Sequence, residues 1–125
     1  MIQIILVNEE SRASQYGIGT YIKQLCLILS QKQGIHLSVI CCRSTKNDFY
    51  IERKGDIDYY HIPDTIQNND PEIRIKTYYK NIWYLIFPYF SSHSKENIIL
   101  HINYYQHIHL LNTCLLYTSD AADEL

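Results

Sequence analysis

The chain lacks a surplus of positive charge: 11 lysines and arginines stand against 13 aspartates and glutamates, for a formal net charge of -2 over 125 residues. No basic stripe is gathered anywhere along it, which argues against a nucleic-acid partner bound by phosphate neutralisation. It also lacks any C-x-x-C spacing. Cys26, Cys41, Cys42 and Cys114 are scattered, and the neighbours Cys41 and Cys42 must point to opposite faces of a strand, so all four read as reduced packing residues of a cytoplasmic protein. No apolar run approaches the ~20 residues that span a bilayer. The longest candidate, Tyr84 to Phe90, is interrupted by Pro88. Ile2 to Val7, directly after Met1, is too short and has too little charge before it for a signal peptide, and reads better as a buried strand.

Two further absences concern motifs. Gly17-Ile18-Gly19 has the beginning of a dinucleotide fingerprint, but the glycines come late after the strand and Ile22 stands where a third glycine belongs. Cys42 is followed by Arg43 rather than by an acid that could hold a ribose, so NAD is not expected. A receiver-type module would want clustered acids at strand ends, and only Glu9 and Glu10 are available.

What is present is a pattern of apolar strands and amphipathic helices. With 46% hydrophobic residues the chain can bury one modest core, so a single domain is expected. Ile2 to Val7 is the nearly continuous apolar run of a strand covered on both faces. From Ile18, apolar residues recur at Tyr21, Ile22, Leu25, Cys26 and Leu29, the spacing of a helix with one buried face. Gly34 is placed for a left-handed cap, and Leu37 to Cys42 is the next strand, completing a right-handed βαβ unit.

Phe49 to Arg53 and Ile57 to Ile62 flank Lys54-Gly55-Asp56 and predict a hairpin ended by Pro63. Asp70, Pro71 and Glu72 supply a cap, a first-turn proline and an early acid for a long helix running towards Phe87. The stripe Ile75, Tyr78, Tyr79, Ile82, Trp83, Ile86 and Phe87 reads as core, with peripheral membrane association as the competing reading. Ile98 to Ile102 is a last buried strand. The expected fold class is α/β, a mostly parallel Rossmann-like sheet with flanking helices, in which ligands lie beyond the carboxyl ends of the strands. The loops after Val7 and Ile102 then share one edge.

The order of these pieces carries a resemblance. A strand, a polar loop and Tyr-Gly-Ile-Gly-Thr-Tyr-Ile-Lys-Gln-Leu opening a helix (residues 16–25), followed later by a strand ending His101-Ile102-Asn103, is similar to the start of GT-B glycosyltransferases of the family 4 type. The resemblance covers residues 1–113 and implies most of an N-terminal, acceptor-side domain. Such enzymes transfer a sugar from a nucleotide-sugar to an acceptor hydroxyl with retention and without a metal, often in glycan or glycoconjugate synthesis. Carried over, Gly17, Ile18, Gly19 and Thr20 would face the donor diphosphate. Glu9, Glu10, Ser11 and Arg12 would form an acceptor loop. His101, Asn103 and His107 become candidates around the reacting sugar, although the family often has a histidine where Asn103 stands, and Asn can hydrogen-bond but not act as a base.

The resemblance implies partners, too: a nucleotide-sugar and a glycan or lipid-linked acceptor at the inner face of a membrane, with no cofactor. A non-catalytic α/β binding or regulatory module, its glycine loop purely structural, is the alternative.

The tail changes character. Residues 114–124, Cys-Leu-Leu-Tyr-Thr-Ser-Asp-Ala-Ala-Asp-Glu, resemble one translated frame of a transposase adapter used in sequencing libraries, residue for residue. The expectation is a reading frame truncated near Thr113 with a non-native tail over 114–125. Such a fragment would lack the donor-binding half and its activity, and would expose sheet edge and apolar surface.

Overall fold

The computed structural model describes residues 2–11, 17–90 and 98–112. Arg12 and the tail from Cys114 to Leu125 lie outside them. Strand β1 (Ile2–Glu9) leads through helix α1 (Ile18–Leu29) to β2 (Ile35–Cys42), then to the hairpin of β3 (Tyr50–Lys54) and β4 (Ile57–Ile62). Helix α2 (Pro71–Phe90), strand β5 (Ile98–His101), a 3₁₀ turn over Tyr105–Ile108 and the single turn α3 (His109–Asn112) follow. The sheet has five strands in the order β3-β4-β2-β1-β5. Every neighbouring pair is parallel except β3 with β4, so the α/β, mostly parallel architecture read from the sequence is the observed one.

Helices cover both faces, and strand alternation decides what each meets. Leu6, Leu37, Val39, Cys41 and Ile57 pack against Ile22 and Cys26 of α1. Ile5, Val7, Ile40, Cys42, Tyr60 and Ile62 pack against Tyr78, Tyr79, Ile82, Trp83 and Ile86 of α2. The aromatic stripe of α2 is therefore core. No helix among the described residues is long and apolar enough to cross a membrane.

Asp70 caps α2 through its Oδ1, which accepts from the amides of Glu72 at 2.9 Å and Ile73 at 3.4 Å. Such a cap is worth ~0.5–2 kcal/mol. The helix runs three residues beyond Phe87, through Pro88, because Phe90 is buried against Tyr60 with ring centroids 5.4 Å apart. A proline so near the end removes little of the helical ladder. Helix α1 stops earlier than Gly34 would suggest: Ser30 ends it, its hydroxyl donating to the Leu27 carbonyl at 3.2 Å. Gly34 instead takes φ +78° at the entry to β2, where its carbonyl accepts from the Ile2 amide at 2.8 Å.

Candidate functional site

Because β1 lies between β2 and β5, the chain leaves the carboxyl end of β1 towards one side and returns on the other. This reversal opens a crevice at the strand ends. Glu9 and Glu10, Cys41 to Arg43, His61 and His101 all stand at that edge, as parallel pairing requires: Asn8 is opposite Cys41 and Glu9 opposite Cys42, Cys41 opposite His61, and Leu6 opposite His101. Alternation then divides the charged residues between two sites, one on each face.

On the α2 face, Glu9 is fully buried. Its Oε1 accepts from Arg43 Nη1 at 2.7 Å and from His107 Nε2 at 3.0 Å. Arg43 also donates to the Tyr79 hydroxyl at 3.1 Å and to the Gln106 side-chain oxygen at 2.5 Å. Its backbone is left-handed, φ +53°, a conformation costing a non-glycine residue ~1–2 kcal/mol. Tyr78 offsets this: its hydroxyl accepts from the Arg43 amide at 2.6 Å and donates to the Ile62 carbonyl at 2.7 Å.

Burial pushes the Glu9 carboxyl up, but hydrogen bonds from His107 and Ser11 and the Arg43 charge outweigh it and hold the group below its ordinary value. Burial opposes charge on Arg43 as well, and Glu9 more than compensates, so its guanidinium stays protonated. Gln106 and His107 are delivered by the turn after β5. Tyr79 and Tyr104 close over the imidazole edge-on, with centroids at 6.1 and 5.0 Å. Glu9, Cys42 and His107 present ligating atoms to one another, yet all three are buried and the guanidinium already supplies the positive charge.

On the α1 face the strand ends are open. A cleft of about 320 Å³ is lined by Asn8, Glu10, Gly19, Thr20, Lys23, Cys41, Glu52 and His61, among others. Gly17 begins α1 at φ +134°, with its carbonyl accepting from the Tyr21 amide at 2.9 Å, and as the N-cap residue it offers no side chain to the first turn. The amides of a helix's first turn have no partner within the helix and are a ready anion site. The Asn8 Oδ1, buried beside them, makes no hydrogen bond. His61 is held between Glu10, 3.3 Å from its Nδ1, and Glu52, to which its Nε2 donates at 3.1 Å, and Tyr50 stacks on its ring at 4.3 Å.

The residues singled out by the sequence separate accordingly. Gly19, Thr20 and Glu10 line the cleft. Gly17 is exposed beside it, the backbone of Ile18 starts α1, and Ser11 is half-buried just past β1. His101 lies on the same face, half-buried, with its Nε2 3.3 Å from the Tyr21 hydroxyl. Asn103 is exposed. Glu9 is the last residue of β1 rather than part of a loop, and with His107 it is enclosed on the opposite face. Sequence reasoning passed over Arg43, His61 and Glu52. The available signal was position: each sits in or just after an apolar strand segment, and two of them at its carboxyl end.

Compared with protein-family models, curated proteins and solved structures, the chain matches none.

Proposed function

We propose that the chain is the acceptor-side half of a retaining GT-B glycosyltransferase, whose parent moves a sugar from a nucleotide-sugar to an acceptor hydroxyl. The observation that carries this reading is the cleft: the glycine-started first turn of α1, through Gly19 and Thr20, shares it with Asn8 and Glu10 at the end of β1. A diphosphate against that turn gains roughly 0.3–1 kcal/mol per favourable charge from the helix end, which orients a leaving group without driving the reaction. Lys23 on the same wall adds a cation. His101, tied to α1 through Tyr21, and the exposed Asn103 supply polar groups towards the acceptor.

The opposite wall belongs to a second domain, so this half binds without turning over. Two features support further chain beyond it. β5 ends the sheet, pairing only with β1 among the described residues, and it carries Ile99 half exposed. The proposed setting is cytoplasmic, with the acceptor at the inner face of a membrane.

The enclosure of Glu9 and His107 favours a second reading, a binding module whose strand-end charges are structural. Sequencing the source DNA across codon 113 separates the two. A continuing frame that encodes a second Rossmann-like domain with paired glutamates supports the transferase, and a native stop soon after Thr113 overturns it.

A further inference from the structure

The cleft holds a group of side chains that the transferase reading does not use. Glu10, Cys41 and His61 come from the carboxyl ends of β1, β2 and β4, and each directs one ligating atom inward: a carboxylate oxygen, Sγ and Nδ1, all within 4.8 Å of one another. Cys41 is 2% exposed and His61 8%, while Glu10 is half-buried at the mouth.

The tautomer of His61 is set by Glu52. A carboxylate only accepts, so Nε2 carries the proton it donates over 3.1 Å. Nδ1 is buried and makes no hydrogen bond, and the Glu10 oxygen facing it is 3.3 Å away. Nδ1 is thus an unused acceptor beside a carboxylate, an arrangement that a proton on either group or a metal ion held by both would satisfy.

Two observations favour the metal. First, tetrahedral zinc with ligand distances of about 2.0–2.2 Å to nitrogen and oxygen separates them by about 3.3–3.5 Å, which matches the observed gap. Second, an imidazolium bridge has no need of sulfur, yet the Cys41 thiol completes the triangle. The Glu52–His61 contact is itself the outer carboxylate that metal-bound histidines ordinarily carry. Hard cations such as calcium and magnesium do not suit a sulfur and nitrogen set.

We propose that Glu10, Cys41 and His61 bind a divalent transition-metal ion of the zinc type, with the fourth coordination position open to the cleft and Glu52 orienting His61. Binding forms a metal–sulfur bond as the Cys41 proton leaves for solvent, and nothing is oxidised or reduced. Asn8, Thr20 and Lys23 line the same cleft, so water or an anionic ligand group completes the shell. The site stands independently of the transferase reading, which brings no metal with it.

The test is titration of the metal-free full chain with cobalt(II), followed by zinc. Expected are a thiolate-to-cobalt charge-transfer band saturating at about one equivalent, and its loss as zinc displaces cobalt. Cys41→Ser and His61→Gln abolish the band. Cys42→Ser, one residue on and facing the other helix layer, keeps it. Glu52→Gln retains the band but weakens zinc binding by about 10–100-fold.

Circular dichroism checks that each variant is folded. Should Cys41→Ser fail to fold, X-ray absorption of the zinc-loaded unsubstituted chain decides instead: a shell containing one sulfur supports the site, and a sulfur-free shell overturns it. Absence of the charge-transfer band, or a band that survives Cys41→Ser and disappears in Cys42→Ser, also overturns it.

Discussion

Two glutamates, two cysteines and two histidines make matching groups on opposite faces of one sheet edge, with opposite consequences. Glu9, Cys42 and His107 are sealed under α2, while Glu10, Cys41 and His61 border an open cleft under α1. Adjacent residues supply the glutamates and cysteines of both, Glu9 at the end of β1 with Glu10 just after it and Cys41 beside Cys42 in β2, because Glu9 pairs with Cys42 in register and neighbouring positions face opposite ways. What separates them is Arg43. Its guanidinium lies 2.7 Å from Glu9 and ties that group to Tyr79 and Gln106. On the other face Glu10 has His61, and among the described residues no arginine is paired with it. A charge compensated by a buried guanidinium makes a keystone of the first group, and the open cleft beside the second makes it a candidate for a ligand.

The largest effect that would break the contrast is expected from Arg43→Met. Removing one partner of a buried pair leaves the other charged and enclosed, and costs ~3–5 kcal/mol. Glu9 is fully buried, so urea unfolding of Arg43→Met should show a loss in that range. A loss below about 1 kcal/mol would mean that the two faces do not differ in the way described. Tyr78→Phe should come next. Its hydroxyl serves the Arg43 amide and the Ile62 carbonyl; the carbonyl keeps the Ser44 amide at 3.1 Å, so the loss falls on the Arg43 amide, and a buried group left without a partner costs ~1–3 kcal/mol. Unfolding midpoints at a constant slope would show it.

Acid sharpens the same contrast. The Glu9 carboxyl is held below its ordinary value of 4.5 in the folded chain. A depressed carboxyl contributes stability that is fully present above its unfolded value and is lost as pH falls through the folded one. Stability should therefore decline below about pH 4.5, and Glu9→Gln should flatten that decline while lowering stability at pH 7. Equal acid limbs for Glu9→Gln and the unsubstituted chain would remove Glu9 from the keystone.

The sequence made the layers readable and left this division obscure. The nearly continuous apolar run of Ile2 to Val7, the 3.6-residue spacing after Ile18, the β-prone arms around Gly55 and the Asp70-Pro71 start are local signals, and β1, α1, the hairpin and α2 follow from them. The shared edge of the β1 and β5 loops followed from the rule for parallel sheets. Which face each strand-end residue takes depends on register between residues more than 30 positions apart, as with Asn8 and Cys41, and no local pattern encodes that. Arg43 in sequence is merely the residue after a strand. Only its left-handed turn brings the guanidinium back over Glu9. His61 and Glu52 sit in β-prone arms whose apolar content hid them. His107, read as a polar group after β5, becomes core because Tyr79 and Tyr104 close over it.

The smallest effect is expected from Glu52→Gln in metal-free buffer. Glu52 is half-buried, its side chain 39% exposed, and it accepts from His61 at 3.1 Å on the lining of the cleft. Water and salt screen such a pair, and holding its long side chain costs entropy that offsets much of the attraction. The thermal midpoint of metal-free Glu52→Gln should be indistinguishable from that of the unsubstituted chain, whereas Glu9→Gln, a chemically identical change one layer away, should lower it clearly. A large drop for Glu52→Gln would show that His61 is clamped by its carboxylates as firmly as Glu9 is by Arg43. The open face would then be a second keystone rather than a site awaiting a ligand.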